Sequence, residues 1–164
     1  MKFVSKNELG LFDFSDCRIS NVKCDGNMLE FTLESLIVLE NNSQNSNYTK
    51  SYADTTIMTL KNCTIQSAYI AGYKVYDAND NLVEQIDDIS VEKTEYKKMI
   101  EGFKDSYLCR VMKCESDQGY VYELEVEQEG EEQFQDLRSD MYVVKVEFLE
   151  AVCEWDRYLN RVQS

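Results

Sequence analysis

Residues 120–132, YVYELEVEQEGEE, alternate apolar and acidic side chains almost one for one. Tyr120, Tyr122, Leu124 and Val126 fall on one side of an extended chain, and Glu123, Glu125, Glu127 and Glu129 on the other. Successive side chains of a strand point to opposite faces. A period of two therefore marks a strand with one face in a core and one toward water.

The same pattern recurs on both sides of this stretch. In MYVVKVEFLEAVCEW (141–155), Tyr142, Val144, Val146 and Phe148 share a face, and the segment reads as one long strand. Upstream, YLCRVMKC (107–114) joins it through the turn-rich ESDQG. Nearer the start, MLEFTLESLIVL (28–39) places Leu29, Phe31 and Leu33 opposite Glu30, Thr32 and Glu34. It follows CRISNVKC (17–24) across Asp25-Gly26-Asn27, where Asp25 and Gly26 suit the positive φ of a tight hairpin. ADTTIMTLKNCTIQSAYI (53–70) has the Thr and Ile content of strands. YKVYDANDNLVEQI (73–86) reads as a hairpin with DANDN at its tip.

One stretch has helical spacing. In SVEKTEYKKMIEGF, Tyr96, Met99, Ile100 and Phe103 recur at i, i+3, i+4 and i+7, which predicts a short amphipathic helix over about 90–101. Ser90 is the expected N-cap and Gly102 the expected left-handed stop. EEQFQDLRSD (131–140) is read as a turn of helix. Short connections imply antiparallel neighbours, because parallel strands need long crossovers. The expected fold is α+β and mostly β: an antiparallel sandwich or strongly curved sheet with one helix packed on it.

At 164 residues the chain can bury a core within a single domain, 1–164. Eleven Tyr and seven Phe exclude a disordered tail. Proline is absent and glycine occurs six times, so nothing reads as an interdomain linker. ENNSQNSNYTKS, 40–51, is expected to be an exposed loop. Sequons at Asn41, Asn47 and Asn62 are read as loop and strand residues, because the N-terminus shows no apolar export core. No run approaches the length of a membrane span. On these features the chain is expected in the cytoplasm, with its six cysteines as free thiols. Cys109 and Cys114, five apart on one strand, are expected on opposite faces, which argues against joint ligation.

The composition disfavours catalysis. With no histidine, the usual base for a Ser or Cys nucleophile is missing, as is any mixed Cys/His zinc site. No phosphate-binding glycine loop and no nucleophile elbow occurs. Carboxylate pairs carry no specificity among 31 acidic residues. DANDNLVEQIDD (77–88) places Asp77, Asn79, Asn81 and Asp88 at calcium-loop positions. Leu82 stands where such a loop needs glycine, and the flanks read as strands. The expected reading is non-enzymatic, with no cofactor and no metal.

Net charge is −14, which sets the chain against nucleic-acid backbones and anionic membranes. Residues 115–140 hold ten acidic side chains against Arg138 alone, and so carry −9 of that charge. Glutamates two apart on a strand recur about every 6.8 Å. Such a ladder attracts a basic protein and speeds its encounter. Glu123, Glu125, Glu127, Glu129, Glu131 and Glu132 are the candidate partner-binding residues.

FDFSDCRISNVKCDGNMLEFTLE, 12–34, resembles the opening of small bacterial proteins similar to the immunity proteins of polymorphic-toxin systems. The matching positions are Phe12, Phe14, Asp16, Ile19, Gly26, Asn27, Leu29 and Phe31, with Ser15 where that theme often has His. The resemblance implies an acidic, cytoplasmic, non-catalytic protein that neutralises a toxin by contact, and it transfers no site residue. Two other readings stand beside it. One is a β-barrel enclosing a small apolar ligand, lined by Tyr69, Tyr73, Tyr76 and Trp155. The other is a DNA-mimic inhibitor built on the carboxylate ladder.

Overall fold

The computed structural model describes residues 2–128 and 140–162. The fold is α+β and mostly β; its sheets are antiparallel, and among the described residues none closes into a barrel.

The chain opens with β1 (Phe3–Lys6), a 3-10 turn at Leu9–Leu11 and β2 (Phe12–Asp13). A hairpin follows, of β3 (Cys17–Asp25) and β4 (Met28–Glu34). Its turn has positive φ at Gly26 (58°) but not at Asp25. A single positive φ at the first central residue, where glycine carries no steric penalty, is the type II′ pattern. The expected strand 28–39 breaks at Ser35 (φ 64°), which separates β5 (Ile37–Val38) from β4.

The 40–51 segment lies at the surface but is pinned. Asn42 and Asn45 are buried, and the Asn45 side-chain amide faces the carbonyls of Val38, Leu39 and Thr49 at 2.9–3.1 Å. Next come β6 (Ser51–Ala53), β7 (Thr56–Lys61), β8 (Thr64–Ile70), β9 (Tyr73–Tyr76), β10 (Leu82–Ile86) and β11 (Ile89–Ser90).

The helical segment is shorter than its periodicity suggests. A 3-10 turn at Lys93–Glu95 leads into α1 (Tyr96–Glu101). Ser90 caps nothing, because it belongs to β11 and pairs with Tyr69. Gly102 keeps a right-handed φ of −74°, and the left-handed residue after the helix is Asp105 (φ 68°). Then follow β12 (Tyr107–Cys114), β13 (Tyr120–Gln128), β14 (Asp140–Phe148), β15 (Glu150–Trp155) and β16 (Tyr158–Arg161). The helical turn expected at 131–140 lies outside the described residues, apart from Asp140, which starts β14.

Ten strands form one sheet in the order β1-β15-β7-β4-β3-β12-β13-β14-β8-β11. β7 runs into β8 through Asn62-Cys63, and β14 into β15 through Leu149, yet each pair has one member in either half of the sheet. The sheet must therefore fold over itself. Both strands bend at the same level without losing register: Glu147 faces Thr64 before the corner and Glu150 faces Lys61 after it. The Leu149 N–H donates to the Lys61 carbonyl at 3.0 Å, and Asn62 absorbs the bend with a φ of 52°. The expected single strand 141–155 is thus a bent pair. Away from the corner the halves meet through a narrow joint, where only Tyr107↔Arg18 and Leu108↔Cys17 pair β12 with β3.

The inner faces form one core. Phe31, Leu33, Met58 and Leu60 come from one half, and Leu108, Leu124, Val126, Val144, Val146 and Phe148 from the other. Ile100 and Phe103 of the helical segment join it, and the Phe103 ring meets Tyr142 at 5.3 Å. A four-stranded sheet, β16-β6-β5-β2, flanks the region where Trp155 is fully buried among Phe3, Phe12 and Tyr158.

Candidate functional site

β13 sits between β12 and β14, so its glutamates lie on the outer face of a sheet interior and not along an edge. Its inner side is as the alternation requires. Tyr122, Leu124 and Val126 are buried, and Tyr120 packs against Phe148 at 5.8 Å.

Glu123, Glu125 and Glu127 share the outer face, each half-buried. Glu129, Glu131 and Glu132 lie outside the described residues. The neighbouring strands change the character of this ladder. Arg110 faces Glu125 from β12, with Nη1 3.8 Å from Oε1, and Lys145 faces Glu123 from β14. The face is mixed in sign where a purely anionic row was expected. Val121 and Val143 are also buried on this side, among the long charged side chains of the neighbouring register. Such chains keep their heads in water while their stems cover apolar surface.

A bulge interrupts β12 between Leu108 and Arg110. It resets the alternation, so that Cys109 and Arg110 both lie on the glutamate side. The Cys109 Sγ approaches Glu127 Oε2 at 3.7 Å. From Arg110 the regular register brings Met112 and Cys114 to the same face. The expectation that Cys109 and Cys114 oppose each other fails for that reason.

A second feature adjoins this face. β9 and β10 form a two-stranded sheet of their own, an arm rooted between β8 and β11. Register runs from Leu82↔Tyr76 to Ile86↔Tyr73, with a bulge at Val83. Six large apolar side chains are exposed on the arm and its base: Tyr73, Tyr76, Leu82, Val83, Ile86 and Ile89. Asp77 and Asp80 lie in the turn at the arm's tip, Glu84 in β10, and Asp87 and Asp88 at its root, against Lys74 alone. At the tip the Asp77 Oδ1 accepts from the backbone N–H groups of Asn79 (2.8 Å) and Asn81 (3.0 Å). These bonds hold its carboxyl below the usual carboxylate range. That is turn chemistry. Among the described residues no three His, Cys, Asp or Glu side chains converge to hold a metal ion.

Arm and glutamate face meet at Tyr69. The register Arg110–Glu125–Val143–Tyr69–Ser90 crosses five neighbouring strands. The Tyr69 hydroxyl titrates above its ordinary value, through desolvation first and then through the negative charges of Glu123, Asp88 and Glu125. Charge at the root of the arm and charge on β13 therefore act at one place.

The residues named for a ligand-lined barrel are dispersed. Trp155 is in the core, Tyr69 is on the outer face, and Tyr73 and Tyr76 stand out on the arm. Sequence reasoning found the hairpin but missed that it projects. The available signal was that both segments, YKVY and LVEQI, carry apolar residues on both faces instead of on one.

No protein-family model matches this chain, no curated protein matches it, and no solved structure matches it. No helix among the described residues is long and apolar enough to cross a membrane.

Proposed function

We propose that this is a non-enzymatic cytoplasmic binding protein that engages a basic protein partner, in the manner of an immunity protein neutralising a toxin. The observation that carries this reading is the arm. It presents exposed apolar anchors with carboxylates at its tip and root, beside a face bearing Glu123, Glu125 and Glu127. Apolar anchors that desolvate at the centre of a contact supply most of its affinity. Acidic groups around them steer a cationic partner and reject anionic ones. A uniform DNA-like anion row is disfavoured by Arg110 and Lys145 within the ladder.

The test is biolayer interferometry against the product of the adjoining reading frame. Tyr76→Ser with Leu82→Ser should raise the dissociation rate at least tenfold, because hot-spot anchors act on lifetime. Reversing Glu123, Glu125, Asp87 and Asp88 to lysine should slow association and flatten its dependence on salt. Binding that both sets of changes leave untouched would overturn the reading.

A further inference from the structure

A cleft of about 430 Å³ opens between the tip of the β3–β4 hairpin, the β7–β8 corner and the start of the helical segment. It shares no residue with the arm or the glutamate face. Leu29, Cys63 and Ile65 contribute apolar surface, and Met28 and Tyr96 line it further. The Cys63 N–H donates to the Asn27 carbonyl at 2.6 Å, tying the corner to the hairpin tip. Two independently connected elements of the cleft are thereby fixed relative to each other before any ligand arrives.

The charge of this cleft runs opposite to that of the molecule. The chain has 31 acidic residues against 17 basic, yet the charged side chains lining the cleft are Lys93 and Lys97, with no carboxylate among the described residues that line it. The two lysines stand four residues apart across the junction of the 3-10 turn and α1, a spacing that puts them on one side. Both are exposed, so neither is held there by the needs of the core. Small-molecule sites are concave and mostly apolar, with a few convergent polar groups, and their volumes run from about 300 to 1,000 Å³.

From this combination we infer that the cleft binds an amphipathic carboxylate, its hydrocarbon body against Leu29, Ile65 and Tyr96 and its anionic head between Lys93 and Lys97. The site is separate from the protein-binding surface and does not depend on it. A macromolecular occupant would need surface beyond the cleft, and an uncharged one would leave the lysines without a role.

Decanoate is a suitable probe, with decanol as its uncharged counterpart. Titrations use the full chain carrying 13C-methyl methionine, with the Met28 signal assigned through Met28→Leu. Decanoate should shift the Met28 methyl resonance saturably. The Lys93→Gln, Lys97→Gln variant should weaken decanoate about tenfold and leave decanol unchanged, as expected for two solvent-facing charge contacts. Two results would overturn the proposal: an unmoved Met28 signal below the micelle threshold, or decanoate affinity indifferent to the lysines.

Discussion

The Gly72 backbone N–H donates to the Asp88 carboxylate at 2.7 Å, closing the root of the arm. A Cβ on Gly72 would fall 2.1 Å from the Ile86 carbonyl oxygen, a backbone atom that cannot step aside. Two strands alone are marginally stable in water. The arm therefore owes much of its order to this closure. Gly72→Ala should raise amide hydrogen exchange across 73–86 severalfold. The urea midpoint of the whole protein should move little, because the arm contributes almost nothing to the core. Unchanged exchange in the arm would show that its order arises elsewhere.

The meeting of charges at Tyr69 is open to direct measurement. Glu123→Gln, Glu125→Gln and Asp88→Asn should each lower the Tyr69 midpoint, followed by 13Cζ-tyrosine NMR. The sign is fixed: removing a nearby negative charge makes the phenolate easier to form. A midpoint insensitive to all three would separate the arm from the glutamate face electrostatically.

The six thiols should divide by environment. Burial pushes the Cys17 and Cys63 thiols up to about 12, with a smaller push from Glu34 on Cys17 and from Cys24 on Cys63. Burial raises Cys153 further, and Cys109 is raised as well. The thiolate is the reactive form. Iodoacetamide at pH 8 should therefore spare Cys17, Cys63 and Cys153 in the native protein and modify all six cysteines after denaturation. Peptide mass spectrometry reads the result site by site.

Glu8 links stability to acid. Partial burial alone would raise its pKa. The hydroxyls of Ser43 (2.5 Å) and Ser5 (2.7 Å) and the Ser43 N–H (3.1 Å) outweigh that and hold it below the ordinary carboxylate value. A depressed carboxylate contributes stability above its unfolded pKa and loses it as pH falls through the folded one. Glu8→Gln should be less stable than the parent at pH 7, and the gap should narrow as pH drops below the ordinary carboxylate value. Urea midpoints across that range give the comparison.

Trp155 anchors the flanking sheet. It is fully buried, with the Phe3 ring stacked at 5.6 Å and the Phe12 ring edge-on at 5.9 Å. Trp155→Ala should cost about 3–5 kcal/mol, the usual range for emptying an aromatic site in a core. A loss under about 1 kcal/mol would mean that the surrounding rings collapse into the space.

Alternation along the chain was enough to sort Leu124 and Val126 inward and Glu123 and Glu125 outward, because each assignment depends only on a residue's place in its own strand. The same holds for Leu29, Phe31 and Leu33. The helix was legible from Ile100 and Phe103, but its start was not. Ser90 has a cap's chemistry, and pairing with Tyr69 claimed it for the sheet. The bend at Leu149 was hidden too, since apolar residues continue on both sides of it and only the partner strand turning at Asn62 makes a corner.

By itself, then, the sequence determined a mostly β chain, the inward face of the strands that carry Leu29, Leu124 and Val144, and an acidic composition overall. These are local consequences of backbone period and composition. The tertiary structure decided which strands lie side by side. That placed Arg110 and Lys145 among the glutamates, put Cys109 on their face through a bulge, and left Tyr76 and Leu82 exposed on an arm instead of around a cavity. Lateral pairing joins residues far apart along the chain, and no periodicity within one strand encodes its neighbour.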